Sequence, residues 1–132
     1  MIGMESLSIS VFFVGLFVLV QIPMTVMVGY RRVQTGIQFM DGGDQTLLRR
    51  MRAHANFTET VPITLMAMAA AELTGMSDMG LWIGGISLLV GRLMHAAILV
   101  LKGWGNPRAL GMILTFVPMI LFGAWALSHG LG

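Results

Sequence analysis

No cysteine occurs in the 132 residues, which excludes disulfides and thiolate-ligated metal sites. Charge is scarce too. Asp, Glu, Lys and Arg together make up 11% of the chain, against roughly a quarter in a soluble domain. Eight basic and six acidic residues leave a net charge of +2, too few cations to track a phosphate backbone, so no nucleic-acid partner is expected. A small chain has much surface per volume and cannot hide a 56% hydrophobic composition in its own core. With a mean hydropathy of +0.83, much of that surface must face lipid. Met1 to Ser6 carry no Lys or Arg, so the basic start of a secretory leader is missing. The apolar run that follows exceeds the roughly 7–15 residues of a leader's core and reads as a first spanning helix.

What the chain does have is four apolar stretches, each near the roughly 20 residues that cross a bilayer. They predict helices over about 7–30, 47–73, 79–101 and 109–128. The gaps are short, so consecutive helices should run antiparallel. The fold class is all-α: an integral membrane four-helix bundle of up-down topology, a single domain over residues 1–132. Asp41-Gly42-Gly43-Asp44 forms the first turn, with Asp44 placed to cap the second helix, and Ser77 or Asp78 to cap the third. Residues 103–107 break the third helix from the fourth. Pro23, Pro62 and Pro118 fall inside helices, where each frees a carbonyl that a neighbour must satisfy. Gly80 and Gly84 form a small-xxx-small pair for close helix approach. The thirteen Met residues read as gap-fillers.

Basic residues set the expected orientation. Arg31, Arg32, Arg49, Arg50 and Arg52 flank the first loop, and Lys102 and Arg108 the third, while the second has only Asp78. Loops one and three are therefore predicted to be cytoplasmic and both termini outside. Tyr30 and Trp104 would mark the inner interface, Trp82 and Trp125 the outer one. Arg31, Arg32, Arg49 and Arg50 serve first as topology anchors.

Ionisable residues within the spans point to function. Arg52, Asn56 and Glu59 are spaced i, i+4, i+7 and share one helix face. Glu59 lies roughly 18 Å along its helix, where a carboxylate needs a partner. Arg92, His95, Leu99 and Lys102 share a face of the third helix, and Arg92 lies about 15 Å deep from the same side. The expectation is an ion pair of Glu59 with Arg92, facing a polar cavity. Such a site suits an anion with two carboxylates and one ammonium group, because arginine binds carboxylates through paired N–H groups. Glutathione is one such molecule, and other peptides or amino acids share its features. His54 lies on a different face, near the interface, and His129 near the solvated C-terminus.

Arg52-Ala-His-Ala-Asn56-Phe-Thr-Glu59-Thr-Val-Pro62, followed by Gly91-Arg92-Leu-Met-His95, resembles the MAPEG superfamily, the membrane-associated proteins of eicosanoid and glutathione metabolism. The Asp41–Asp44 turn is similar to that of the bacterial branch, and the resemblance covers essentially the whole chain. It implies a homotrimer in the bacterial inner membrane, with glutathione as co-substrate between neighbouring subunits near the cytoplasmic side. It implies that Arg52, Asn56, Glu59, Arg92 and His95 bind glutathione, with Arg31 or Arg32 contributing from helix one. Arg108 fits the family's helix-four arginine, which stabilises the glutathione thiolate. Leu99 stands where the eicosanoid-forming members commonly have tyrosine, and Ala109 where an aromatic or serine accompanies the arginine. The resemblance therefore implies glutathione transfer to lipophilic electrophiles, or peroxide reduction, rather than eicosanoid synthesis. No metal is implied. Two other classes fit four short helices with an intramembrane Glu: a small proton-coupled multidrug transporter, opposed by the cationic Arg92, and a non-catalytic glutathione- or lipid-binding protein.

Overall fold

The computed structural model describes residues 7–132 and shows four helices and no strand among them. The leader and N-terminus readings at residues 1–6 lie outside the described residues. The helices are α1 (Ser8–Thr35), α2 (Gln45–Leu73), α3 (Asp78–Leu101) and α4 (Asn106–His129). α2 packs against each of the other three, α3 and α4 form the most extensive pair, and α1 lies on α2 with a smaller contact to α3.

The ends differ from the sequence reading for local reasons. α1 continues past Tyr30 to Thr35, because only at Gly36 does the backbone turn left-handed (φ 73°), with the Gly36 N–H returning to the Arg32 carbonyl. α4 begins at Asn106, ahead of the expected 109, because Pro107 occupies its first turn, where a missing N–H costs nothing. Asp44 caps α2 by accepting from the Leu47 N–H at 2.6 Å, and Ser77 caps α3 by accepting from Gly80. Leu7, at the N-cap of α1, makes no side-chain capping bond. Glu72, near the far end of α2, supplies it instead by accepting from the Ile9 and Ser10 N–H groups at 3.0 and 2.7 Å. A carboxylate there meets both unpaired donors and the positive end of the helix dipole.

α1, α3 and α4 are long and apolar enough to cross a membrane. α2 is longer still, 29 residues or about 43 Å, but Arg49, Arg50, Arg52, Glu59 and Glu72 lower its hydropathy. Its place in the bundle comes from packing. Phe57, Val61 and Met68 of α2 are buried with Phe13 and Phe17 of α1, Leu88 of α3 and Phe122 of α4. On the outside, Leu19, Val26, Ile83, Ile113 and Ile120 are more than half exposed, a surface suited to lipid.

α3 and α4 approach closely through glycines, though not the expected pair. A Cβ on Gly91 would lie 2.8 Å from the Gly111 carbonyl, and one on Gly111 would lie 2.8 Å from the Gly91 carbonyl. Gly84 and Gly85 accept the rings of Phe122 and Phe13, whereas Gly80 meets only Met76 and Ser77 beside it. Pro118 in α4 cannot donate to the Leu114 carbonyl. Ser87 of α3 donates to that carbonyl instead, at 2.7 Å, so the neighbour does satisfy the freed acceptor.

Candidate functional site

Arg92 is the most deeply placed cation. α3 carries it into the bundle where Gly91 lets α4 approach, and its side chain is 2% exposed. Its Nε donates to Thr115 Oγ1 at 2.8 Å, and its two terminal nitrogens donate to the Met112 sulfur at 3.1 Å and the Asn56 carbonyl at 3.5 Å. Every one of these acceptors is neutral. Thr115 in turn donates to the Gly111 carbonyl. One turn further, His95 is also buried, its backbone against Gly111. Arg108, one turn before Gly111 on α4, is half-buried with its guanidinium 4.2 Å from the centre of the Trp104 ring.

On α2 the spacing of Arg52, Asn56 and Glu59 does give one face, but that face looks outward. Arg52 and Glu59 are exposed and Asn56 is half-buried, with its amide donating to the Arg52 carbonyl at 2.9 Å. The expected ion pair of Glu59 with Arg92 does not form. Among the described residues the one ion pair joins Arg31 to Asp44, at 2.7 Å. Matched depth put Glu59 and Arg92 at one level, but the rotation of α2 about its axis leaves the carboxylate exposed while the guanidinium is buried. Among the hydrogen bonds of the described residues, the one that links the two groups runs from Arg92 to the Asn56 carbonyl at 3.5 Å.

Arg31 holds Asp44 through two nitrogens, at 3.1 and 2.7 Å. The guanidinium beside it holds the Asp44 carboxyl below its usual range, helped by the Leu47 N–H. Arg32 ties down the first loop at the Ile37 and Met40 carbonyls, and Arg49 lies against Gly103 in the third turn. Arg50 donates to the Met27 carbonyl, and His54 bonds Thr25 on the α1 seam, apart from Arg92. In this arrangement Arg31 and Arg32 both work as struts of loop one.

Thr115 and Met112 escaped the sequence reading, and Trp104 was read there only as an interfacial aromatic. Thr115 is a polar residue inside an apolar helix, which is a readable signal. Met112 carries none, being one of thirteen Met residues. Among the described residues no cluster of three or more His, Asp or Glu is placed to hold a metal. What remains is a buried guanidinium and a buried imidazole on α3, with an exposed cation, a half-buried amide and an exposed carboxylate on α2. Glu59 and Arg92 do not share the polar cavity expected from the sequence, since the carboxylate is exposed and the guanidinium buried.

Comparison with known proteins matches residues 10–128 to the model of the MAPEG family. Two curated relatives are both named Inner membrane protein YecN, one from Escherichia coli strain K12 and one from Escherichia coli O6:H1 strain CFT073. Each is 39% identical over 64 residues, 48% of this chain and 49% of the relative. The chain thus aligns with about half the length of the curated relatives it matches.

Proposed function

The chain belongs to the MAPEG family, and from that premise we infer that it is a glutathione transferase of the bacterial inner membrane, acting on lipophilic electrophiles. The observation that carries this reading is Arg92. A guanidinium buried to 2% exposure with only neutral acceptors bears a large desolvation cost, and a bound carboxylate offsets it. Arg52, Asn56 and Glu59 supply the complementary groups: cation and amide for a second carboxylate, and a carboxylate for the ammonium group. Their exposure on one protomer suits a site completed by a neighbouring subunit of a homotrimer, with His95 lining the buried side. Cytoplasmic placement of loops one and three belongs to the same proposal.

A free thiol titrates near ~8.5, and the thiolate is the nucleophile. Arg108, set beside the sulfur, would lower that value and raise the reactive fraction at neutral pH. The thiolate then attacks an electrophilic carbon, forming a carbon–sulfur bond as the leaving group departs with its electron pair. Peroxide reduction would use the same thiolate. The apolar groove of about 360 Å³ between α1 and α2, lined by Phe17, Val18, Val61, Pro62 and Leu65, begins one turn beyond Glu59 and suits a substrate arriving from lipid.

Detergent-purified protein should conjugate glutathione to a hydrophobic chloronitrobenzene, with saturation in glutathione. Glu59→Gln and Arg108→Ala should each be inactive. Co-assembled, the two variants should regain activity, because some interfaces then carry both intact halves. No turnover by the wild type across a panel of electrophiles and peroxides would refute the enzymatic reading. Turnover without recovery on mixing would place the whole site in one subunit.

A further inference from the structure

Ala109 follows Arg108, so no aromatic or hydroxyl stands beside the arginine on its C-terminal side. The fold supplies an aromatic from the other direction. The turn between α3 and α4 passes through Gly103 in the left-handed region (φ 75°) and leaves Trp104 one helical turn ahead of Arg108. Its indole lies under the guanidinium at 4.2 Å. Trp104 itself is 75% exposed, so this ring is not part of the core. The arginines differ in how they are held. Arg31, Arg32, Arg50 and Arg92 spend N–H groups on a carboxylate, carbonyls, a hydroxyl or sulfur. Among the described residues Arg108 enters no ion pair and donates no side-chain hydrogen bond, and its guanidinium carbon sits over the Trp104 ring. A contact of this kind holds a guanidinium over the ring, while donors that have no other partner stay free for an anion.

The geometry points to Trp104 as a positioning residue for Arg108, holding the guanidinium in place with its edge donors free to meet the glutathione sulfur. This rests on the glutathione reading above. The chain thereby obtains, from four residues upstream, the aromatic support that Ala109 does not give. A held, partly dried cation stabilises a thiolate more than a freely rotating, hydrated one.

The test titrates the thiol of glutathione bound to the full-length protein in detergent. Thiolate absorbance is followed against pH for wild type, Trp104→Phe and Trp104→Leu, and the affinity for S-methylglutathione, which has no thiol, is measured in parallel. The apparent thiol pKa should rise by about half a unit in Trp104→Leu, with Trp104→Phe in between. S-methylglutathione affinity should stay the same in all three. Superimposed titrations with intact binding would overturn the role of Trp104 alone. A loss of S-methylglutathione affinity matching the thiolate change would also overturn it, reducing Trp104 to a wall of the pocket. Absence of saturable glutathione binding by the wild type would overturn the glutathione reading itself, and this one with it.

Discussion

Replacing Arg92 with methionine should cost the protein its ligand but not its stability. Of the three hydrogen bonds that Arg92 makes, only the one to Thr115 is both short and to a good acceptor. The Asn56 carbonyl lies at 3.5 Å and the third acceptor is a thioether. A hydrogen bond to a charged group contributes about 1.5–3 kcal/mol. Burial of the cation costs several kcal/mol, and no carboxylate among the described residues pairs with it. Arg92→Met removes both terms, fills similar volume, and leaves Thr115 bonded to the Gly111 carbonyl at 2.8 Å. The free energy of unfolding should therefore stay level or rise by about 1–3 kcal/mol. Glutathione affinity should fall from about thirtyfold to several thousandfold, the loss that follows when one partner of a buried charge pair is removed, about 2–5 kcal/mol. Thermal unfolding in detergent without ligand and calorimetric titration of glutathione measure the two halves. A variant that melts well below the wild type yet binds glutathione equally would show Arg92 to be a structural prop and refute the reasoning.

Gly111→Ala would push a methyl group to 2.8 Å from the Gly91 carbonyl and 3.0 Å from the His95 nitrogen, so α3 and α4 must part; a loss of about 1–3 kcal/mol is expected in thermal unfolding. Ser87→Ala should cost about 1–3 kcal/mol by orphaning the Leu114 carbonyl, and should cost much less in a Pro118→Ala background, where the residue-118 N–H returns; equal costs in both backgrounds would refute the pairing. Asp44→Asn keeps a side chain able to cap α2 but loses the Arg31 ion pair, so Asp44→Ala should destabilise more. Because Arg31 depresses the Asp44 carboxyl, its contribution is present above the unfolded value of about 3.9 and is lost as pH falls through the lower folded value. A melting series below about pH 4 should show that loss in the wild type and not in Asp44→Asn.

Much of this was legible along the chain and less of it across the chain. Asp44 and Ser77 could be read as caps because capping is local, decided by a side chain and an N–H three residues on. The shared face of Arg52, Asn56 and Glu59 follows from helical spacing alone. Spacing does not say which neighbour that face meets. Depth placed Glu59 level with Arg92, but the pair needed a rotation of α2 that its buried Phe57, Val61 and Met68 do not allow. Glu72 reaching the start of α1, and Ser87 answering Pro118, are contacts between residues 62 and 27 positions apart, with no pattern in either helix to announce them. Gly80 and Gly84 offered the expected motif, yet Gly91 and Gly111 carry the tight crossing, since a single glycine on each of two helices leaves no repeat to see. Trp104 read simply as an interfacial aromatic until the third turn brought it under Arg108.

Calorimetric titration of glutathione into the detergent-solubilised wild type tests the central claim most directly. Saturable binding, weakened by Glu59→Gln and by Arg92→Met, is the predicted result. A titration with no heat beyond dilution, at glutathione concentrations well into the millimolar range, would contradict it.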